Sequence, residues 1–267
     1  MNNANGILLT PRDGQTFRFD AGTLCLEFLL TGALPQWEQL HAPEDLAAWI
    51  PLSRVGLPDE VVVGEADLAG ARRLRAAIQA LAERAAAEGH GGPGDPGTDR
   101  THRGTADTGG SASPDPAPDG STSRDLALSG SASPDPALDG SAFPGAEDAL
   151  AMINGFAAAP QDALAVINGF AAAPPPVPVV TPSFQRGWAT PVTGAQFLSA
   201  VARDAVELFG GPMASRVRVC GGQRCLLIFL DTSRPGARRW CSMDRCGNRS
   251  KLRTRRDRAP RPADAGH

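Results

Sequence analysis

Apolar and polar positions along the chain mark two foldable stretches separated by a middle with no apolar periodicity. Between Glu65 and Glu88, Leu68, Ala71, Leu74, Ile78, Leu81 and Ala85 recur on one face, with Arg72 and Arg73 outside it and Arg75 near its edge. That spacing predicts an amphipathic helix of several turns. Thr193 to Phe209 repeats the pattern through Phe197, Val201, Ala205 and Leu208, and Gly210-Gly211 ends it. Pro43 to Ile50 opens with proline and two acids, which suits a helix N-terminus. Thr16 to Asp20 alternates as a short strand, while the apolar run Thr23 to Thr31 reads as either helix or strand. After three prolines, Val177 to Val180 is extended and Ser183 to Trp188 can pair with it. The expected fold class is α+β, mostly α.

The middle is different in kind. From Gly89 to Ala146, 12 Gly, 8 Pro, 8 Ser and 8 Asp leave Phe143 as the only aromatic residue. Such a segment cannot bury enough apolar surface to offset backbone ordering entropy, so it reads as a disordered insertion at 89–146. Its segment 110–121 is repeated almost unchanged at 130–141. A second tandem follows, Asp148 to Pro160 and Asp162 to Pro174, each copy reading as a short helix with Asp near its start and Pro at its end. Two copies are too few for a solenoid, which needs about three. A slipped duplication is the simpler account: one copy suffices to pack on the body, and loop lengthening costs little.

A chain of 267 residues allows one or two domains. No apolar run approaches the ~18–20 residues of a membrane span, and residues 1–6 lack the pattern of a signal peptide. The expectation is a cytoplasmic protein in a reducing compartment. The net charge of −3 conceals an asymmetry: residues 216–261 hold fourteen basic residues against three aspartates. A cation-dense end on an acidic body points to a polyanionic partner for that end, or else to a solvated basic tail.

Within the cationic end lie Cys220, Cys225, Cys241 and Cys246. Two short cysteine pairs about 15 residues apart fit a structural zinc site, since each pair sets two thiolates on one turn and the spacer lets the turns face each other. Disulfides and inert thiols are the alternatives, disfavoured in a reducing compartment. Four cysteines leave no open coordination position, so a metal here is structural rather than catalytic. Cys25, in an apolar run, reads as a buried core thiol. The four histidines are scattered and no acid/base pair, nucleophile elbow or phosphate loop can be placed, so no enzymatic activity is expected.

The run 219–234 with 238–251, containing Cys246-Gly247-Asn248-Arg249, resembles the CGNR zinc finger over roughly Arg216 to Arg258. Segments 24–31, 43–49 and 71–78 are similar to the start, middle and arginine-bearing helix of the ABATE domain that usually precedes that finger. This chain has Leu30-Thr31 where that family commonly has Asn-Thr. The resemblance implies a DNA-binding transcription regulator, linked to stress, whose N-terminal domain senses a small-molecule ligand. It divides the chain into an ABATE-like domain at 1–88 and 147–211, a finger at 216–258 and a disordered tail at 259–267.

Read from its own residues, Asn248 is a good N-cap for a helix from Arg249 to about Arg258, and Gly247 lets the backbone turn tightly beside Cys246. Arg249, Arg253 and Arg256 form one stripe on that helix, and Lys251, Arg255 and Arg258 form another on roughly the opposite side, so both cannot face one groove. A metal-anchored cationic helix can enter a major groove, with Arg on guanine or phosphate. Arg238 and Arg239 are expected at phosphates, and Trp240 packs over its module or stacks on a base. The other function class consistent with these residues is a zinc-finger adaptor that docks an acidic protein surface without touching DNA. In the body, Glu27 to Thr31 is the candidate ligand region, with Glu27 equally readable as an exposed or capped acid.

Overall fold

A computed structural model describes residues 6–10, 14–32, 37–89, 125–126, 160–223 and 225–258, with backbone alone at 125, 126, 160, 257 and 258. In chain order the strands and helices are β1 (Ile7–Leu9), β2 (Phe17–Phe19), α1 (Leu24–Phe28), α2 (Pro43–Trp49), β3 (Val61–Val62), α3 (Glu65–Gly89), β4 (Asp125–Leu126), α4 (Pro160–Ala171), β5 (Pro178–Val180), β6 (Arg186–Trp188), β7 (Val192–Thr193), α5 (Gly194–Phe209), β8 (Val217–Val219), β9 (Ile228–Leu230) and α6 (Asn248–Arg258). The chain is α+β, mostly α.

Three helices make the body. α3 buries Leu68, Ala71, Leu74, Ile78 and Leu81, and α4 and α5 pack on it and on each other. α5 starts as its sequence dictates: the Thr193 hydroxyl accepts from the Gln196 amide at 3.2 Å, and the Gln196 side chain accepts from the Thr193 amide at 2.9 Å. α2 is fixed by Asp45, whose carboxylate accepts from the amides of His41 and Ala42 at 2.7 and 2.8 Å. The ambiguous run 23–31 is helical, α1 passing into a 3₁₀ turn at 29–31. Edge-to-face contacts at 5.4–5.9 Å between Phe28, Trp49 and Phe197 lock α1, α2 and α5 together.

The strands are short accessories. β1 pairs antiparallel with β2 (Ile7 opposite Phe19) and parallel with β4, β3 pairs parallel with β7, and β5 and β6 form the expected hairpin. Of the 89–146 segment only 125–126 fall among the described residues beyond the end of α3, and their backbone joins β1. The first tandem copy and the 259–267 tail lie outside the described residues, while the second copy is α4.

One arginine of α3 departs from the position its spacing suggests. Arg75, expected near an edge, is buried; its guanidinium donates to the Thr31 carbonyl at 2.8 Å and to both oxygens of Glu38. Arg72 donates to the Leu40 carbonyl at 3.0 Å. Together they pin the loop after α1 onto α3.

Glu27 is not exposed but buried and paired. It is 2% exposed and accepts from the Arg54 amide at 2.8 Å and from Arg54 Nε at 3.0 Å, while Arg54 Nη2 reaches Asp20 at 2.8 Å. Removing the carboxylate outright strands the Arg54 guanidinium and amide, so Glu27→Ala is expected to cost about 3 kcal/mol, a fall in Tm of roughly 10 °C by thermal melt, and the neutral isostere Glu27→Gln less. Burial, outweighing Arg54, holds the Glu27 pKa above its ordinary value. The folded state therefore keeps this proton to higher pH than the unfolded chain, and stability falls as pH rises from about 4.5 through the raised value. The Gln variant should lose that slope.

Candidate metal centre

The centre is built on the β8–β9 hairpin, in which Val217 faces Leu230 and Val219 faces Ile228. The Cys220 amide donates to the Leu227 carbonyl at 2.9 Å, carrying the hairpin one step past β8. The chain then turns through Gly221-Gly222, and the Cys225 amide closes the turn on the Gly222 carbonyl at 2.9 Å. A Cβ on Gly222 would stand 2.8 Å from Cys246 Sγ and 3.1 Å from Cys225 Cβ. Only glycine fits between the two cysteines. Gly222→Ala should weaken zinc binding at least ~10-fold, read by competition with a chromogenic chelator.

The four sulfurs converge. Cys225 Sγ lies 3.7 Å from Cys241 Sγ, Cys241 Sγ lies 3.6 Å from Cys246 Sγ, and all four fall within 4.8 Å of one another. A tetrahedral ion with Zn–S near ~2.3 Å requires sulfurs about 3.8 Å apart. The Cys241 amide points at Cys220 Sγ at 3.2 Å and the Gly222 amide at 3.4 Å. Hydrogen bonds from the neighbouring thiols and these amides hold Cys220 down to about 2, while sharing a proton with Cys220 pushes Cys225 up to about 12. Burial, then the charge on Cys220, raises Cys246. Four thiolates this close repel one another unless a dication sits among them, so the donor set fits zinc.

The second half of the module is organised by Asp231 and Arg238. Asp231 is fully buried and accepts from the Ser233 amide at 2.9 Å, the Ser233 hydroxyl at 2.6 Å and the Arg238 amide at 2.8 Å. The Arg238 guanidinium lies 4.2 Å from the Phe229 ring centroid and donates to the carbonyls of Trp240 and Cys241. Arg238 thus holds the loop that delivers Cys241. Arg239 is exposed and covers Trp240 at 5.4 Å. Trp240 is half-buried, its ring 3.4 Å from where a Cβ would stand on Gly221 or Gly247; it packs over its own module.

Asn248 is not an N-cap. The helix begins earlier, in a wide turn from Met243 to Gly247 preceded by extended Ser242, and Asn248 continues it with helical backbone angles. Its side-chain amide donates to the Asp244 carbonyl at 3.2 Å. Gly247 serves packing rather than a tight turn, because a Cβ there would meet Met243 Sδ at 2.8 Å. Cys246 therefore sits inside the helical coil that becomes α6.

From this base α6 carries Arg249, Lys251, Arg253, Arg255 and Arg256, all exposed. Arg253 donates to Gln223 at 2.7 Å, tying the first stripe to the Cys220–Cys225 turn. The Arg258 side chain lies outside the described residues.

The module does not stand apart from the body. β8 packs on α3, the Leu230 amide donates to the Ala21 carbonyl at 2.9 Å, and Arg245 lies 4.8 Å from the Phe17 ring centroid. Gly22, with φ +90°, leaves 2.7 Å between a hypothetical Cβ and Leu230 Cβ. Nothing in the spacing of the sequence signals this dock.

Comparison with known proteins agrees with the geometry. The CGNR zinc finger model matches residues 216–259, taking in all four cysteines. The ABATE model, described as "Putative stress-induced transcription regulator", matches residues 22–212, well over half of the chain. The chain belongs to the ABATE family. No curated protein matches it. In this ABATE protein Cys220, Cys225, Cys241 and Cys246 hold one structural zinc. Both families are regulatory or zinc-finger in kind rather than enzymatic. Among the described residues no helix is long and apolar enough to cross a membrane.

Proposed function

We propose that this protein is a DNA-binding transcription regulator whose zinc-anchored helix α6 enters the major groove. The observation that carries the reading is the row of exposed cations on a helix fixed at its base by Cys246. A helix has little to hold it when its only apolar residue is the half-exposed Leu252, so the metal supplies the order that an apolar face would otherwise provide. Only one of the opposed stripes, Arg249/Arg253/Arg256 or Lys251/Arg255/Arg258, faces the base edges, and a major groove about 12 Å wide leaves the other to its phosphate walls. Arg239 extends the surface. Arg238 is omitted, because its guanidinium already serves two carbonyls of the module.

The division of labour follows: residues 1–88 and 147–211 form the sensing body and 216–258 the reader. A signal in the body has a short route to the reader, because Glu27, Arg54 and Asp20 form one chain and Asp20 also accepts from the Gly22 amide at 2.8 Å, beside Leu230. A gel shift on mixed duplexes across a salt series tests the proposal. Binding that falls steeply with salt is expected; no binding at low salt would favour the adaptor reading.

A further inference from the structure

Helix α4 fills a groove between α3 and α5, and the residues it buries there occur twice in the chain. Ala163 and Ile167 are buried, and Val166, Phe170 and Ala171 pack on the same core. Phe170 lies against Gly70, where a Cβ would stand 3.0 Å from its ring, and Arg73 covers that ring at 5.9 Å. Past the helix, the Ala173 carbonyl accepts from the Ser199 hydroxyl at 2.6 Å and from Arg203 at 3.2 Å. Fourteen residues earlier stand Ala149, Met152, Ile153, Phe156, Ala157 and Ala159, identical at every one of these positions except Met152 for Val166.

We propose that residues 146–159 compete with residues 160–173 for this groove, so that the body has two registers related by a fourteen-residue shift. The one difference is mild: Val166 is only partly buried, and a flexible thioether adapts to such a position. Both segments suit a helix start, with Pro160 and Asp162 in one and Glu147 and Asp148 in the other. The Ser199 hydroxyl and Arg203 meet a carbonyl of the same sequence context in either register. The shift leaves the groove filled and lengthens the link to β5 by fourteen residues. The duplication is then a spare copy of a core helix rather than inert loop.

Aspartate at the buried isoleucine tests this in the full-length zinc-loaded protein. Ile167→Asp alone and Ile153→Asp alone should each keep Tm within about 3 °C of wild type, because the intact copy takes the groove. The double variant should lose about 10 °C or more. Methyl-labelled methionine adds a direct readout: in Ile167→Asp the Met152 signal, assigned with Met152→Leu, should move to the shift of a methyl packed in a core. An Ile167→Asp protein as unstable as the double variant would overturn the proposal. So would a double variant as stable as wild type.

Discussion

Cys246→Ser is expected to empty the metal site and to melt the chain from Thr232 to Arg258 while leaving the β8–β9 hairpin in place. Structural zinc supplies on the order of 10–16 kcal/mol to segments that cannot fold without it, and α6 has no apolar face of its own. The hairpin is held otherwise: Val217 and Phe229 are fully buried, and Leu230 is bonded to Ala21. Metal analysis should fall from one zinc per chain to none. Hydrogen exchange should show protection lost across 232–258 and retained at 217–219 and 228–230. Loss of the hairpin together with the loops would mean that the metal, not the body, holds it.

Neutralising Lys251, Arg255 and Arg256 together with glutamine should weaken duplex binding on the order of 10²-fold at low salt and flatten the salt dependence. Each phosphate left without its cation lowers the slope of log affinity against log salt by about 0.9, so three should lower it by nearly 3. Zinc content should stay at one per chain, because all three side chains are exposed on α6, beyond Cys246. A parent-like slope in the triple variant would place the polyanion elsewhere.

Much of the fold is legible in the chain. The cysteine spacing announces the metal, since two close pairs and a spacer leave few other ways to gather four thiolates. α3 and α5 follow from apolar periodicity, and the 177–188 hairpin from its prolines and β-branched run. What escapes is long-range. Glu27 and Arg54 are 27 residues apart and each reads locally as a surface charge, so their burial against one another has no local signature. Arg238 reads as one more cation in a basic stretch until the fold places it on Phe229 and the Cys241 carbonyl. The local rule misplaces the start of α6 because a capping residue at 248 satisfies it equally well, whereas the cysteine at 246 requires the coil to begin before it. Gly22 is the instructive case: one glycine among 30 in the sequence, and a point of close approach between the finger and the body.

The proposed DNA binding depends on zinc through the anchoring of α6 at Cys246. Partially loaded protein, prepared at graded zinc occupancy and titrated with duplex at low salt, tests that link most directly. The fraction of chains able to bind DNA should equal the fraction carrying zinc at every occupancy. Full DNA-binding capacity in metal-free protein, with the same salt slope, would contradict it.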